Sequence, residues 1–164
     1  MIIAKKSLGQ NFLVDKNVLE KIISIAKIEK KIILEVGAGT GNLTTYILKN
    51  NPKKFFVVEK DKRLVEVLKN NFGDKIVIIN DDILNIKENS FFKEKVTVFG
   101  NLPYNISTEI LSKWIINLKK DVWFDQLILM FQKEVADRII AKPGSKNYGR
   151  LSILTNWLTK SKKL

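Results

Sequence analysis

The chain has 164 residues, with 29 Lys and Arg against 17 Asp and Glu, a formal net charge of +12 and a pI near 9.8. That length suits one domain, the 45% apolar content supports a core and excludes a disordered chain, and no apolar run reaches the ~18–20 residues that cross a bilayer. Cys and His are absent, which excludes a thiol nucleophile, a disulfide, a Cys/His zinc site and a Ser-His-Asp triad.

The opening MIIAKKSLGQNF lacks the long apolar region of a secretory signal, so a reduced, cytoplasmic setting is expected. Asn17 to Ile28 reads as a helix, with Val18, Leu19, Ile22, Ile23 and Ala26 at helical spacing. Ile32 to Val36 reads as a buried strand that runs straight into Gly37-Ala38-Gly39-Thr40-Gly41, and Leu43 to Lys49 as the next helix. Phe55 to Glu59 is a second strand, and Asp61 caps a helix with Leu64, Val65 and Leu68 on one face. Lys75 to Asn80 is a third strand, followed by Asp81-Asp82. Val96 to Phe99 is a fourth, followed by Gly100-Asn101-Leu102-Pro103-Tyr104. Ser107 is expected to cap a helix carrying Ile110, Leu111, Trp114, Ile115 and Leu118. Gln126 to Phe131 is a fifth strand, Lys133 to Ala141 a helix, Pro143-Gly144-Ser145 a turn, and Arg150 to Leu158 a last helix. Strand and helix alternate, and the strands are continuously apolar. The fold class expected is therefore α/β, a mostly parallel sheet with helices on both faces. Ligands of such sheets bind beyond the carboxyl ends of the strands.

The charge is uneven. Residues 1–31 carry +4, residues 32–141 only +2, and residues 142–164 carry six basic residues and no acid. Basic end segments suit a polyanion, whose counterions are released on binding. A solvated, lysine-rich surface explains them equally well, and only three of the 29 basic residues are Arg.

The glycine loop permits a tight turn and close approach of a ligand to the backbone. An acid, Glu59, ends the next strand twenty residues after Gly39, a spacing suited to ribose hydroxyls. A nucleoside-containing cofactor follows. The dinucleotide fingerprint is G-x-G-x-x-G; this loop is G-x-G-x-G, preceded by Glu35, and it resembles the first motif of class I methyltransferases, which use S-adenosyl-L-methionine.

The segment after the fourth strand has its own chemistry. An exocyclic adenine amine is a poor nucleophile, because its lone pair is delocalised into the ring. Acceptors from the Asn101 side chain and from a carbonyl near Leu102-Pro103 favour a more tetrahedral nitrogen, proline fixes that backbone, and Tyr104 can stack on an extruded base. No general base of raised pKa is needed, in keeping with the absence of His. A generic turn would account for the Asn and Pro alone.

In chain order, Lys6 to Leu13 (KSLGQNFL), the glycine loop, Asn101 to Thr108 (NLPYNIST), Gln132 to Val135 (QKEV) and Tyr148 to Ser152 (YGRLS) resemble the KsgA-type rRNA adenine N6-dimethyltransferases over nearly the whole chain. The Erm-type large-subunit rRNA methyltransferases share the earlier motifs, while QKEV and YGRLS favour the former group. The resemblance implies two successive methyl transfers to each of two adjacent adenosines near the 3′ end of small-subunit rRNA. The partner it implies is the immature small ribosomal subunit, met by a cytoplasmic monomer. It implies catalytic residues Asn101, Leu102, Pro103 and Tyr104. It places Asn11 and Leu13 beside Gly37 in the cofactor pocket, with Glu59 on the ribose, Asp82 facing the adenine amine, Gly39, Lys60 and Ile83 also binding the cofactor, and Asn101 between cofactor and target. The basic N-terminal segment would close over the cofactor.

The family pattern continues about another hundred residues, so residues 1–164 are expected to be a cofactor-binding catalytic domain incomplete at its C-terminal end. The remaining sheet strands, a Phe-containing base-stacking segment and a helical RNA-binding domain would be absent, and rRNA methylation by this piece weak or absent. Two alternatives stand beside this reading. A non-catalytic nucleic-acid-binding relative is disfavoured by the intact tetrapeptide, and an NAD-linked oxidoreductase by the glycine spacing and the lack of His.

Overall fold

The computed structural model describes residues 10–119 and 122–164; the N-terminal Lys6–Gly9 part of the first motif lies outside the described residues. Contacts divide the chain into two compact units. The first runs to Pro103 and takes in Trp123–Met130; the second is Tyr104–Val122 with Phe131–Leu164. Among the described residues, no helix is long and apolar enough to cross a membrane.

In the first unit, five strands form one parallel sheet: β1 (Ile32–Val36), β2 (Lys54–Val58), β3 (Val77–Ile79), β4 (Val96–Gly100) and β5 (Phe124–Leu129). Their order is β3-β2-β1-β4-β5. The central strands are apolar on both faces because both faces are covered: Ile33, Leu34, Val57, Val96, Val98 and Phe99 are at most 1% exposed. The helices are α1 (Lys16–Ser24), α2 (Asn42–Leu48), α3 (Lys62–Phe72) and the single-turn α4 (Glu88–Phe91). Leu19, Ile22, Leu43, Ile47 and Leu68 of the first three join Ile33, Phe55, Val57 and Phe99 in the core. Phe56, Phe92, Trp123 and Phe124 add an aromatic row with ring centroids 5.0–6.1 Å apart.

The first strand has the bounds read from sequence, but the third is cut back. Gly73–Lys75 closes a 3-10 turn after α3, and β3 pairs only with Phe56–Val58 of β2. The fifth strand starts two residues earlier than expected because Phe124 pairs with Val96 across an irregularity in the ladder. The sequence reading also missed α4, whose four residues are too few for periodicity to register.

In the second unit, α5 (Ser107–Asn117) and α6 (Lys133–Ile139) both pack on α7 (Arg150–Leu158). The Ser152 and Thr155 hydroxyls of α7 donate to the carbonyls of Arg138 and Ile139 at 2.6 and 3.0 Å. Ile110, Leu111, Trp114 and Ile115 are the buried apolar residues of α5, and Ser107 at its start is buried too. The expected Ser107 cap is corrected. Ser107 is the first helical residue and its hydroxyl turns back to the Tyr104 carbonyl at 3.2 Å, while Ile106 occupies the cap position without a side-chain bond.

Candidate functional site

Strand register sets the site. Val36 of β1 lies beside Val58 of β2 and Gly100 of β4, and Val58 lies beside Ile79 of β3. The next residue of each strand, Gly37, Glu59, Asn80 and Asn101, therefore leaves the sheet at one level. The Gly37 amide donates to the Val58 carbonyl at 3.0 Å and the Glu59 amide to Ile79 at 3.1 Å, so the first step out of each strand is still held by the ladder.

The glycine loop bends through left-handed backbone, with φ of +73° at Gly37 and +61° at Gly39. It also leaves no room for a side chain. A β-carbon on Gly37 would meet the Asn101 carbonyl oxygen at 2.9 Å, and one on Gly39 would meet the Phe12 ring at 3.0 Å. The loop borders a small, partly open cleft lined by Phe12, Leu13, Glu35, Gly37–Thr40, Asn42, Leu43 and Asn101.

Two carboxyls support the loop. Glu35 is 1% exposed and accepts the Thr44 hydroxyl at 2.7 Å. Burial pushes its carboxyl up to about 8, against the lowering effect of Thr44. Glu59 accepts the Gly39 amide at 3.1 Å on one oxygen and the Asp61 amide at 2.9 Å on the other. It too is buried and shifted upward by desolvation, so it is neither a surface acid nor the helix cap. Asp61 is the cap, as expected. It accepts the Arg63 amide at 3.1 Å and a two-point contact from the Arg63 guanidinium at 3.1 and 2.6 Å, which holds its carboxyl far below the usual range.

The tetrapeptide is pinned by its second residue. Leu102 is 1% exposed, and a β-carbon on Gly100 would come within 2.9 Å of both the Leu102 and Leu129 side chains. Asn101 and Pro103 stay half-buried. The Asn101 side-chain Nδ2 donates to the Asn11 carbonyl at 2.6 Å, and Oδ1 is the acceptor of that amide. Tyr104 begins the second unit.

Of the expected cofactor residues, Leu13, Gly37, Gly39 and Asn101 line the cleft, Asn11 joins through Asn101, and Glu59 through Gly39. Lys60, Asp82 and Ile83 lie off the cleft, beyond the ends of β2 and β3. Lys60 pairs with Asp82 at 2.8 Å, and the other Asp82 oxygen accepts the Leu84 amide at 3.0 Å; Ile83 is buried. The sequence reading left Phe12, Glu35 and Asn42 out of the pocket. Glu35 was visible as the acid before the loop, but the Asn42 bond to the Leu13 carbonyl at 2.8 Å joins residues 29 apart and has no local signal.

The family model described as "Ribosomal RNA adenine dimethylase" matches residues 2–164. Over 161 residues the chain is 63% identical to the ribosomal RNA small subunit methyltransferase A of Pelagibacter ubique, covering 98% of this chain and 62% of that protein. Among solved structures it is similar to a dimethyladenosine transferase from Plasmodium falciparum, with a TM-score of 0.76 and 32% identity over 89% of this chain and 52% of that one. It is also similar to the 23S rRNA methyltransferase ErmE, with a TM-score of 0.69 and 26% identity over 88% and 55%. The chain thus spans about 60% of the length of the curated relatives it matches.

Proposed function

The chain belongs to the ribosomal RNA adenine dimethylase family, and from that premise we propose that it transfers methyl groups from S-adenosyl-L-methionine to the N6 amines of two adjacent adenosines near the 3′ end of small-subunit rRNA. Its fold is that of the class I methyltransferases. Residues 1–164 form the cofactor-binding catalytic domain in this reading, and the immature small ribosomal subunit in the cytoplasm is its partner.

The residues present fit an adenosyl group. The glycine loop offers backbone where any β-carbon would intrude, Glu59 holds a carboxyl against that loop, and Glu35 places a second, buried carboxyl on the cleft. Gly37, Gly39, Leu13 and Asn11 would hold the cofactor, with Glu59 and Lys60 toward its ribose and Asp82 and Ile83 toward its adenine. When bound, S-adenosyl-L-methionine supplies an electrophilic methyl carbon on a sulfonium.

The chain's own contribution is orientation and electrostatics. The observation that carries the proposal is the Asn101 amide. With Nδ2 committed to the Asn11 carbonyl, Oδ1 is the atom presented to a donor. An acceptor there, with a backbone carbonyl at Leu102-Pro103, draws the hydrogens of an adenine amine into hydrogen bonds and localises its lone pair. Leu102 anchors this segment in the core, so the acceptors stay where register puts them. Tyr104 takes the base-stacking role that its place in the motif implies. The amine proton leaves to water, and no protein base is required.

Calorimetric titration and single-turnover methyl transfer test this together. S-adenosyl-L-methionine should bind and NAD should not. Labelled methyl should pass, weakly, to small-subunit rRNA in immature subunits and not to large-subunit rRNA. Asn101→Ala should lose at least about a hundredfold in transfer when measured with S-adenosyl-L-methionine saturating. Full activity in Asn101→Ala would overturn the mechanism, and labelling of large-subunit rRNA would overturn the substrate.

A further inference from the structure

The four residues Gln10–Leu13 form a strap beside the cleft, and side chains of Asn42, Asp61 and Asn101 in the first unit hold it. Asn101 Nδ2 donates to the Asn11 carbonyl at 2.6 Å and Asn42 Nδ2 to the Leu13 carbonyl at 2.8 Å. Phe12 and Leu13 line the cleft itself, with the Phe12 ring against Gly39. The third contact runs the other way: Gln10 Nε2 donates to Asp61 Oδ2 at 3.1 Å, across 51 residues of sequence. The first two use backbone carbonyls of the strap, which any residue offers. The Gln10 contact depends on side-chain identity at both ends.

Its acceptor is unusually well fixed. Asp61 is 7% exposed, caps α3 and is gripped by the Arg63 guanidinium on both oxygens. It also connects to the acid that holds the glycine loop, because the Asp61 amide donates to Glu59, whose other oxygen accepts the Gly39 amide. Strap, capped helix and glycine loop are thereby joined by consecutive hydrogen bonds: Gln10 to Asp61, Asp61 to Glu59, Gly39 to Glu59.

We infer that Gln10 and Asp61 form a latch that fastens the Gln10–Leu13 strap over the cleft and act as positioning residues that slow release of the adenosyl cofactor. The inference rests on the cofactor reading above. A ligand lying against the glycine loop is covered on one side by Phe12 and Leu13, and it leaves when that cover lifts. Lifting it breaks the two carbonyl contacts and the Gln10–Asp61 bond together. Without Gln10, the strap loses this charge-assisted tie and opens more often.

A double-mutant cycle on the full chain tests the latch. Gln10→Ala removes the donor. Asp61→Ser removes the acceptor and keeps a residue able to cap α3. S-adenosyl-L-methionine release is followed by stopped-flow displacement, and amide hydrogen exchange at Asn11–Leu13 is measured without ligand. Gln10→Ala should speed release about tenfold and speed exchange in the strap. In the Asp61→Ser background the same substitution should change release by less than about twofold. An equal effect in both backgrounds, or unchanged release and exchange in Gln10→Ala, overturns the latch. If the unsubstituted chain fails to bind S-adenosyl-L-methionine, the cofactor reading falls instead; the exchange cycle in the ligand-free chain then decides the latch by the same criterion of non-additivity.

Discussion

Replacing Gly37 by Ala should do two separable kinds of damage. The first is local: a β-carbon at φ +73° costs about 1–2 kcal/mol in left-handed backbone. The second is steric. The new carbon would lie 2.9 Å from the Asn101 carbonyl oxygen, where ordinary contact begins near 3.4 Å, so two strand ends must part by about 0.5 Å. Overpacking of that kind costs about 1–3 kcal/mol. The sum, roughly 2–5 kcal/mol, corresponds to a fall in Tm of roughly 5–15 °C for a chain of this size. Gly144 supplies the control, since its φ is +84° but nothing lies within 4 Å of its would-be β-carbon. Gly144→Ala should lower Tm by only about 2–6 °C and leave cofactor affinity unchanged. Gly37→Ala should weaken S-adenosyl-L-methionine binding at least about tenfold, because it displaces the loop and the Asn101 segment together. Thermal unfolding and calorimetric titration of both variants decide the matter. If Gly37→Ala is no more destabilised than Gly144→Ala and binds the cofactor normally, the close approach of loop and tetrapeptide has no energetic meaning.

Three further outcomes are expected. Glu35 titrates at an ordinary 4.5 in the unfolded chain and near 8 in the folded one, so the folded chain retains the extra proton between those values. Its contribution to stability is full below the unfolded value and is lost as pH rises through about 8; Glu35→Gln should flatten the decline of Tm across that window, leaving the smaller slope of Glu59, which shifts in the same direction. Thr44→Val removes the donor 2.7 Å from the Glu35 carboxyl and should cost about 1–3 kcal/mol in denaturant unfolding; a loss below about 0.5 kcal/mol would mean that the carboxyl finds another partner. Trp114→Ala empties a site with no exposed surface on α5 and should cost about 3–5 kcal/mol, read as early loss of protection in the amides of α5 and α7 by hydrogen exchange.

The chain's local patterns determined a good deal. Continuous apolar runs marked the strands, and β1 and α7 have the bounds that periodicity gives. The G-x-G-x-G loop, the acid at Glu59 and the Asn101–Tyr104 segment stood at strand ends in the primary sequence, because the groups that make a turn or end a strand are neighbours there. Other features depend on what folding brings together. The order β3-β2-β1-β4-β5 places Gly37, Glu59, Asn80 and Asn101 at one level, and no segment encodes that order locally. The third strand shrank because its edge position leaves it one neighbour, and the Ser107 hydroxyl turned to the Tyr104 carbonyl instead of capping its helix. Asn101 to Asn11 spans 90 residues and Gln10 to Asp61 spans 51. Whether Glu35 carries a charge depends on the surface removed from water around it, and Thr44 alone among its causes is near in sequence. Sequence therefore named the groups that can do the chemistry; burial and strand register, which are properties of the packed chain, decided which atoms face the cleft and in what protonation state.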